Sequence, residues 1–442
     1  MYKEIKTKIK NILPSTIWKI LKTIKHPIKP IVFRLTLAKV QKNHKNALKK
    51  VREKVKKGEK IKVVFFPIQE QAWKYENLYR LLDKSPLFDP ILVVCPYLAY
   101  GNEIMQDILD KAYKYFKEKD YTVINSYSKE SNTWLDVKKE IKPDIVFFSV
   151  PYNYTKTEYC INNFLDTLTC YVPYSFQVSS LTKTQYDMDF HNFLWKAFYE
   201  TNIHKKIALN NSRNIGKNVE VVGYPNIDRF FFQAEVIDQW KIKDKGIKRI
   251  VWSPHHTIEG FGAGLNYSNF LKMADFMLDF AKKNVNRIQI AFKPHPLLKS
   301  RLYRHSDWGK EKTENYYKQW SMLPNGFFSN SDYIDLFLTS DGLINDSGSF
   351  LAEYFFSGKP QIFVAHDKNI VERFNDFGKY IFQKVYVGYQ LTEIEKFINE
   401  IIIGGQDYMR KIRINEINNY RNKLKNVSSS KKIIEIIKLE VK

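Results

Sequence analysis

The sequence predicts an α/β protein with two doubly wound domains that face each other across a cleft and follow a basic helical arm. Short β-branched and aromatic runs alternate with helical segments in two separate series, a pattern typical of βαβ units and parallel sheets. The 442 residues are too many for one ordinary domain and sufficient for two. A stretch with prolines and a charged end, residues 224–246, separates the two series and is interpreted as the linker.

The arm, residues 1–59, contains most of the excess positive charge. The first 60 residues contain 19 Lys and Arg against three Glu, a net charge of +16, whereas the whole chain carries +24. Isoleucines recur near helical spacing among these lysines, together with Trp18. Basic amphipathic helices of this kind suit an anionic membrane surface, where each Lys or Arg contributes about 1 kcal/mol. The alternative is a solvated helical extension that packs on the body of the protein.

The first domain is predicted over residues 60–230. Its strands are expected at residues 60–66, 90–95, 121–124, 144–150, 169–176, 206–209 and 219–223. Helices are expected between them at residues 73–82, 102–119 and 134–141. The order of these segments predicts a parallel sheet with helices on its faces.

The second domain is predicted over residues 231–442. Its strands are expected at residues 248–254, 287–296, 342–346 and 360–365, and its helices at residues 270–283, 332–338, 350–356, 392–402 and 408–427. The glycine-rich residues 260–264 are interpreted as a mobile loop over the cleft, and residues 426–432 as a polar linker.

The cysteines, the lengths of the apolar runs and the charge limit the classes of protein to which the chain can belong. Cys95, Cys160 and Cys170 show no metal-binding spacing, which favours a reduced setting and disfavours a structural zinc site. No apolar run approaches the roughly 20 residues that span a bilayer, and no secretory signal is expected. Nucleic-acid binding is an alternative from charge alone, but no recognised nucleic-acid-binding motif supports it.

A cluster of small polar residues at the end of a predicted strand indicates an anion site. The strand "GLIND" leads into Asp346, Ser347, Gly348 and Ser349, after which an apolar helix begins. In open α/β sheets, ligands bind beyond the carboxyl ends of the strands, and the free N–H groups of a helix start attract anions. Gly348 would let a ligand approach the backbone. The alternative is an ordinary N-cap, but one hydroxyl would satisfy it.

Two further strand ends support a phosphate site. Lys293 and His295 follow the strand "RIQIAF" in the loop "KPHP", whose two prolines flank His295. They supply a point charge and a hydrogen-bond donor or acid. Ser253, His255 and His256 follow the strand "KRIVW". No carboxylate or cysteine stands at ligand spacing from these histidines, so no metal site is predicted.

These motifs resemble a known family. The stretches that carry the resemblance are "VVGYPNIDRF", "IVWSPHH", "AFKPHP" and "SDGLINDSGSFLAEYFFSGKPQIF". In this order and spacing they are similar to the CDP-glycerol glycerophosphotransferase family, the teichoic-acid polymerase-like enzymes. The resemblance is good over residues 219–366, weaker over residues 60–218 and not apparent in the arm.

The resemblance implies a GT-B fold whose C-terminal domain holds a CDP-linked donor, without a cofactor. It implies a transferase that moves glycerol phosphate, or a related polyol phosphate, to a lipid-linked or glycan acceptor for a surface polymer such as teichoic acid or capsule. It also implies peripheral attachment to the inner face of the cell membrane. By this resemblance, His295, Asp346, Ser347 and Ser349 match positions expected to contact the donor's phosphates; Lys293 is adjacent.

One departure concerns the general base. Family members carry an "HGTP"-type histidine in the first domain, whereas the corresponding stretch, "YVPYSFQVSS", has none. His191 is the nearest substitute, although it equally fits a buried structural histidine. The base therefore stays open between His191, His255 and His256. A GT-B glycosyltransferase that uses a nucleotide sugar is the alternative function.

Overall fold

The computed structural model describes residues 28–99, 101–232, 235–259, 265–329 and 333–442. The first half of the predicted arm and the glycine-rich residues 260–264 lie outside the described residues. Among the helices of the described ranges, none is both long and apolar enough to cross a bilayer.

Strands and helices alternate along most of the chain. The strands are β1 Ile61–Phe66, β2 Phe88–Val94, β3 Val123–Asn125, β4 Tyr127–Ser128, β5 Thr133–Trp134, β6 Ile145–Phe148, β7 Leu168–Tyr171, β8 Lys196–Tyr199, β9 Val219–Val221, β10 Lys248–Ser253, β11 Ile288–Phe292, β12 Gly326–Phe328, β13 Gly342–Asn345, β14 Gln361–Val364 and β15 Tyr386–Gly388. The α-helices are α1 Ile28–Lys56, α2 Glu76–Asp83, α3 Asn102–Glu118, α4 Val137–Glu140, α5 Thr182–Tyr186, α6 Asp189–Phe193, α7 Asn202–Asn211, α8 Phe270–Lys283, α9 Leu297–Leu302, α10 Gly309–Met322, α11 Tyr333–Thr339, α12 Gly348–Phe355, α13 Asp376–Phe382, α14 Leu391–Lys396, α15 Arg410–Lys423 and α16 Ser429–Val441. A π-helix, Phe397–Ile403, continues α14. Strands β8, β12 and β15, as well as the short β4 and β5, were not predicted.

Two parallel sheets form the body of the protein. The first has seven strands in the order β3-β2-β1-β6-β7-β8-β9, and the second has six in the order β12-β11-β10-β13-β14-β15. Both orders reverse direction beside the first strand of the sheet, which is the doubly wound topology. The central strands are almost fully buried because helices cover both faces, and this explains their continuous apolar sequences. The predicted fold class is confirmed.

One predicted strand of the first domain is wrong. Residues 206–209 lie inside α7, and the strand in this part of the chain is instead β8, which forms from residues 196–199. Thr201 caps α7, because its hydroxyl accepts the Ile203 N–H at 3.2 Å. This cap starts a helix whose buried residues are His204, Ile207 and Ala208.

The described half of the arm packs on the body. Val32, Val40 and Val51 of α1 are 2–3% exposed and face the first domain. The opposite face of α1 carries exposed basic residues, among them Arg34 and Lys42. This helix therefore combines a buried stripe with a basic outer face.

The C-terminal helix crosses back to the first domain. Residues 426–432, predicted as a polar linker, instead lead into α16, whose Ile433 and Ile437 share a core with the strands of the first sheet. The Asp228 carboxylate fixes the start of α16 by accepting the N–H groups of Ser429 and Ser430 at 2.8 and 3.0 Å. The division at residues 230 and 231 stays a prediction, and α16 packs across it.

The first domain reaches the second through the segment that follows β7. The ring of Phe176 stacks on Phe356 and Phe377, with centroid distances of 5.6 and 5.0 Å. The Val178 carbonyl accepts the Asn375 N–H at 2.7 Å. These contacts bring the carboxyl end of the first sheet against helices of the second domain.

Candidate active site

Three predicted motifs meet at the carboxyl edge of the second sheet. Strands β11, β10 and β13 are direct neighbours, so the loops that follow them are adjacent. The Ser253 hydroxyl donates to the Lys293 carbonyl at 2.6 Å and is buried. Ser253 therefore joins the ends of β10 and β11 and has a structural contact of its own.

His255, His256 and His295 form a histidine cluster. The ring centroid of His256 lies 4.2 Å from that of His255 and 4.0 Å from that of His295. One ring nitrogen from each of the three lies within 4.8 Å of those of the other two. The structure thus brings together the histidines of two separate sequence motifs.

Hydrogen bonds define the tautomers of two of these rings. The Nδ1 atom of His295 accepts the Leu297 N–H at 3.1 Å. The Nδ1 atom of His255 accepts the Thr257 N–H at 3.3 Å. Since an acceptor nitrogen carries no proton, the proton of each neutral ring is on Nε2. These two Nε2–H groups can donate to an anion, whereas they would have to lose their protons to bind a metal ion.

Burial keeps the cluster neutral. It lowers the pKa of His255 and His295 well below the ordinary range, and the neighbouring His256 ring acts in the same direction. Burial likewise lowers the pKa of His256 to about 3, and the Arg301 charge adds to the effect. Nδ1 of His256 is a buried atom with no hydrogen-bond partner within the described part of the chain. A negatively charged ligand would offset the cost of charging these rings.

Two cations accompany the histidines. Lys293 is 8% exposed, and its charge contributes to the low pKa of His295. Arg301, on α9, donates from Nη1 to the His256 carbonyl at 3.1 Å. Arg301 was not among the predicted residues. The only sequence signal for it was a basic residue on the helix that follows the "KPHP" loop.

Asp346 faces inward. Its carboxylate accepts the N–H groups of His255 and Asn269, both at 2.5 Å, and the side chain is 2% exposed. Burial raises the pKa of Asp346 to about 7, against the effect of the two backbone N–H donors. These contacts make Asp346 a residue that positions the His255 loop, and they argue against the expected contact with donor phosphates.

The start of α12 is not an ordinary N-cap. Ser347 occupies the N-cap position, yet its side chain makes no capping hydrogen bond. The hydroxyls of Ser347 and Ser349 lie 3.4 Å apart, which is a weak contact. Both hydroxyls therefore remain suited to an anion at the positive end of the helix.

Gly348 has a packing role that the sequence did not reveal. A Cβ at this position would lie 3.0 Å from Cγ2 of Val178, which belongs to the first domain. The close approach of the two domains therefore explains this glycine without a ligand.

The other candidate base is remote from polar contacts. His191 is 2% exposed on α6, and its ring contacts Tyr171 and Phe190 at centroid distances of 6.0 and 5.3 Å. Neither ring nitrogen has a partner within the described ranges, and burial lowers the pKa to about 3. This environment fits the structural alternative for His191.

Comparison with known proteins identifies the family. The sequence model of "CDP-Glycerol:Poly(glycerophosphate) glycerophosphotransferase" matches residues 174–439, more than half of the chain. The chain belongs to this family. The matched residues include the histidine cluster, most of α16, and residues 345–349, from the end of β13 to the first turn of α12, called the 345–349 junction.

A curated relative supports this membership. The teichoic acid ribitol-phosphate polymerase TarL of Staphylococcus aureus (strain NCTC 8325 / PS 47) is 34% identical over 160 residues. The aligned region covers 34% of this glycerophosphotransferase family member and 25% of that protein. The chain thus matches about a quarter of the length of the relative.

Solved structures share the fold. The wall teichoic acid polymerase TagF, in a form soaked with CDPG, aligns with a TM-score of 0.52 at 13% identity, over 97% of this chain and 98% of that chain. The UDP-GlcNAc 2-epimerase from Neisseria meningitidis bound to UDP-GlcNAc aligns with a TM-score of 0.51 at 15% identity, over 86% and 99%. The predicted GT-B-like fold is confirmed for this family member.

Proposed function

We propose that this protein transfers glycerol phosphate or a related polyol phosphate from a CDP-linked donor to an acceptor hydroxyl during synthesis of a cell-surface polymer. The observation that carries the proposal is the convergence of the histidine cluster, two cations and an uncapped helix start on neighbouring strand ends. Such an arrangement suits a diphosphate. Family membership supplies the type of donor.

The donor diphosphate lies between the histidine cluster and the 345–349 junction. His255 and His295 donate their Nε2–H groups to phosphoryl oxygens, as their tautomers allow. Lys293 and Arg301 supply positive charge, and Ser347 and Ser349 supply hydroxyl donors at the start of α12. These groups stabilise the charge that develops on the phosphoryl oxygens and on the leaving group, which is the main task in phosphoryl transfer.

The reaction is a displacement at the β-phosphorus. The acceptor hydroxyl oxygen forms a bond to this atom, and the bond to the oxygen bridging the two phosphorus atoms breaks. CMP leaves with that oxygen and its electron pair, and the product is a phosphodiester. The hydroxyl proton passes to a base. We assign the base to His256, whose buried Nδ1 atom has no partner among the described residues and which adjoins the charged groups.

The acceptor and the location follow from the same proposal. The acceptor is a lipid-linked or glycan hydroxyl that approaches from the first domain. The exposed basic residues of α1, together with Ile31 and Leu35, which are 46% and 51% exposed, hold the protein at the inner face of the cell membrane. Flotation with phosphatidylglycerol vesicles but not with phosphatidylcholine vesicles is the expected result. Equal flotation with both would contradict an electrostatic attachment.

Thermal unfolding with CDP, UDP, GDP or no nucleotide tests the donor. A ligand at 100 times its dissociation constant stabilises the folded state by about 2.7 kcal/mol, a shift of a few degrees in Tm. We expect a shift with CDP and not with UDP or GDP. A preference for UDP or GDP would instead support the alternative, a glycosyltransferase that uses a nucleotide sugar. The absence of any shift in Tm with all three nucleotides would contradict the proposed phosphate site.

A further inference from the structure

Four tyrosines line the carboxyl edge of the first sheet. Tyr97 follows β2, Tyr152 and Tyr154 follow β6, and Tyr174 follows β7. Because these strands are parallel members of one sheet, the loops that follow them lie along one edge. We call these four residues the tyrosine platform.

The rings of the platform contact one another in a continuous row. The centroids of Tyr97 and Tyr154 are 5.6 Å apart, those of Tyr154 and Tyr152 are 5.1 Å apart, and those of Tyr152 and Tyr174 are 5.9 Å apart. The Leu98 N–H donates to the Tyr154 carbonyl at 2.7 Å and joins two of the loops. The row is therefore a built surface that connects three strand ends.

One end of the row reaches the junction between the two domains. Tyr174 stands two residues before Phe176, whose N–H donates to the Glu353 carboxylate at 3.4 Å. Glu353 lies on α12, the helix that begins at the proposed diphosphate site. The platform thus begins next to the contact between the two domains and extends outward along the first domain. In the proposed reaction the acceptor approaches from this side.

The exposure of the rings suits a ligand with flat apolar faces. Tyr154 is 39% exposed, Tyr152 and Tyr174 are half-buried, and Tyr97 is 8% exposed. Tyrosine offers an electron-rich ring face beside a hydroxyl that forms hydrogen bonds. The C–H groups on one face of a pyranose ring pack on such a face, and sugar hydroxyls pair with phenols. An open polyol chain lacks a rigid face, and an isoprenoid chain offers no hydrogen-bonding group to the exposed Tyr154 hydroxyl.

We propose that the tyrosine platform is an acceptor subsite that binds the pyranose rings of a glycan. The inference rests on the proposed function, since it names the class of acceptor for the same transfer reaction. Asn153, an exposed residue between Tyr152 and Tyr154, and Thr155, whose buried hydroxyl has no partner in the described ranges, supply polar groups beside the rings.

Binding to immobilised neutral pyranose oligosaccharides tests the platform with the full-length protein. The wild type is expected to bind at least one oligosaccharide, and Tyr154→Ala is expected to bind it about tenfold more weakly. Tyr154→Phe keeps the ring and is expected to retain most of the affinity. Tyr408→Ala is the matched control, because Tyr408 is 71% exposed and lies beyond the second sheet.

The same variants separate this inference from the proposed function. A CDP-induced shift in Tm that is equal in the wild type and Tyr154→Ala, together with loss of oligosaccharide binding, supports the platform. A normal CDP shift without oligosaccharide binding in the wild type overturns the platform alone. The absence of a CDP shift in the wild type overturns the proposed function.

A separate experiment tests a lipid chain as the ligand. If vesicles that contain a polyprenyl phosphate bind the wild type and not Tyr154→Ala, while oligosaccharides do not bind, the platform binds a lipid chain and not a glycan. A Tyr152→Ala variant repeats the test if Tyr154→Ala unfolds.

Discussion

The two sheets have related topologies but place different side chains at their carboxyl edges. The first sheet presents tyrosines after β2, β6 and β7, whereas the second presents histidines after β10 and β11 and serines after β13. Neutral aromatic rings suit an uncharged ligand, and N–H donors with cations suit a diphosphate. The topology determines where each ligand lies, and the loops determine which ligand it is.

Both edges also contain a buried carboxyl group. Asp346 follows β13 and accepts two backbone N–H groups, whereas Glu200 follows β8 and accepts the Gln177 N–H at 2.9 Å through Oε1. Oε2 of Glu200 has no hydrogen-bond partner in the described ranges. Burial raises the pKa of Glu200 to about 8. Burial thus raises the pKa of both groups, but Asp346 organises a loop by accepting two backbone N–H groups, whereas Glu200 accepts one.

Replacement of Asp346 should have the largest effect on stability. Asp346→Ala leaves the buried N–H groups of His255 and Asn269 without an acceptor, and each unsatisfied donor costs about 1–3 kcal/mol. We expect the free energy of unfolding, measured with denaturant, to fall by several kcal/mol, and transfer activity to fall with it. Asp346→Asn retains one acceptor and should be intermediate. Unchanged stability in Asp346→Ala would show that these two contacts do not hold the His255 loop.

Replacement of His295 should affect the reaction and not the fold. His295→Ala removes an N–H donor from the proposed diphosphate site, and we expect turnover to fall about tenfold or more with little change in Tm. His191→Leu is the comparison, because the His191 ring nitrogens have no hydrogen-bond partner in the described ranges and leucine is an apolar side chain of similar reach. Loss of turnover in His191→Leu, with normal turnover in His295→Ala, would reverse the two assignments.

A substitution at Gly348 tests how closely the first and second domains approach each other. Gly348→Ala introduces a Cβ 3.0 Å from Val178, and overpacking of this kind costs about 1–3 kcal/mol. We expect the lower end of this range, since only one methyl group is added. A second substitution, Val178→Ala, should recover stability in the double variant relative to the sum of the single variants. Additive losses would mean that the two residues are not in contact.

Replacement of Glu200 should change how the free energy of unfolding depends on pH. Its pKa in the folded state, about 8, is above the ordinary value of 4.5, so its protonated form is favoured by folding. This contribution is complete below pH 4.5 and is lost as the pH rises toward 8. Glu200→Gln stays neutral, so its stability relative to the wild type should increase between pH 5 and pH 8. Denaturant unfolding at both pH values measures the difference, and a constant difference would contradict a raised pKa.

More of the fold than of the candidate site could be predicted from the sequence. Hydrophobic runs located most strands, because parallel strands buried on both faces have continuous apolar sequences. They failed for β8 and α7, where a short apolar run fits either element and the cap at Thr201 decided the outcome. The polar 426–432 stretch concealed the start of α16, since its cap is completed by Asp228, about 200 residues earlier.

The site residues were found where a motif marked a strand end, as for His255, His256 and His295. The inward direction of Asp346 depends on backbone groups 77 and 91 residues away, which no local pattern reveals. Arg301 joins the cluster because α9 turns it toward the His256 carbonyl. The tyrosine platform is assembled from three separated loops, so the topology of the sheet had to be known first.

The return of α16 to the first domain has a consequence for biosynthesis. Ile433, Ile437 and Val441 belong to the same core as Val63 and Leu78. A ribosome therefore has to synthesise α16 before the first domain can close its core, although the strands of that domain are translated first. Domains usually fold as units, the N-terminal one first. In this protein the early half has to wait in an incomplete state, and we expect it to depend on chaperones during translation.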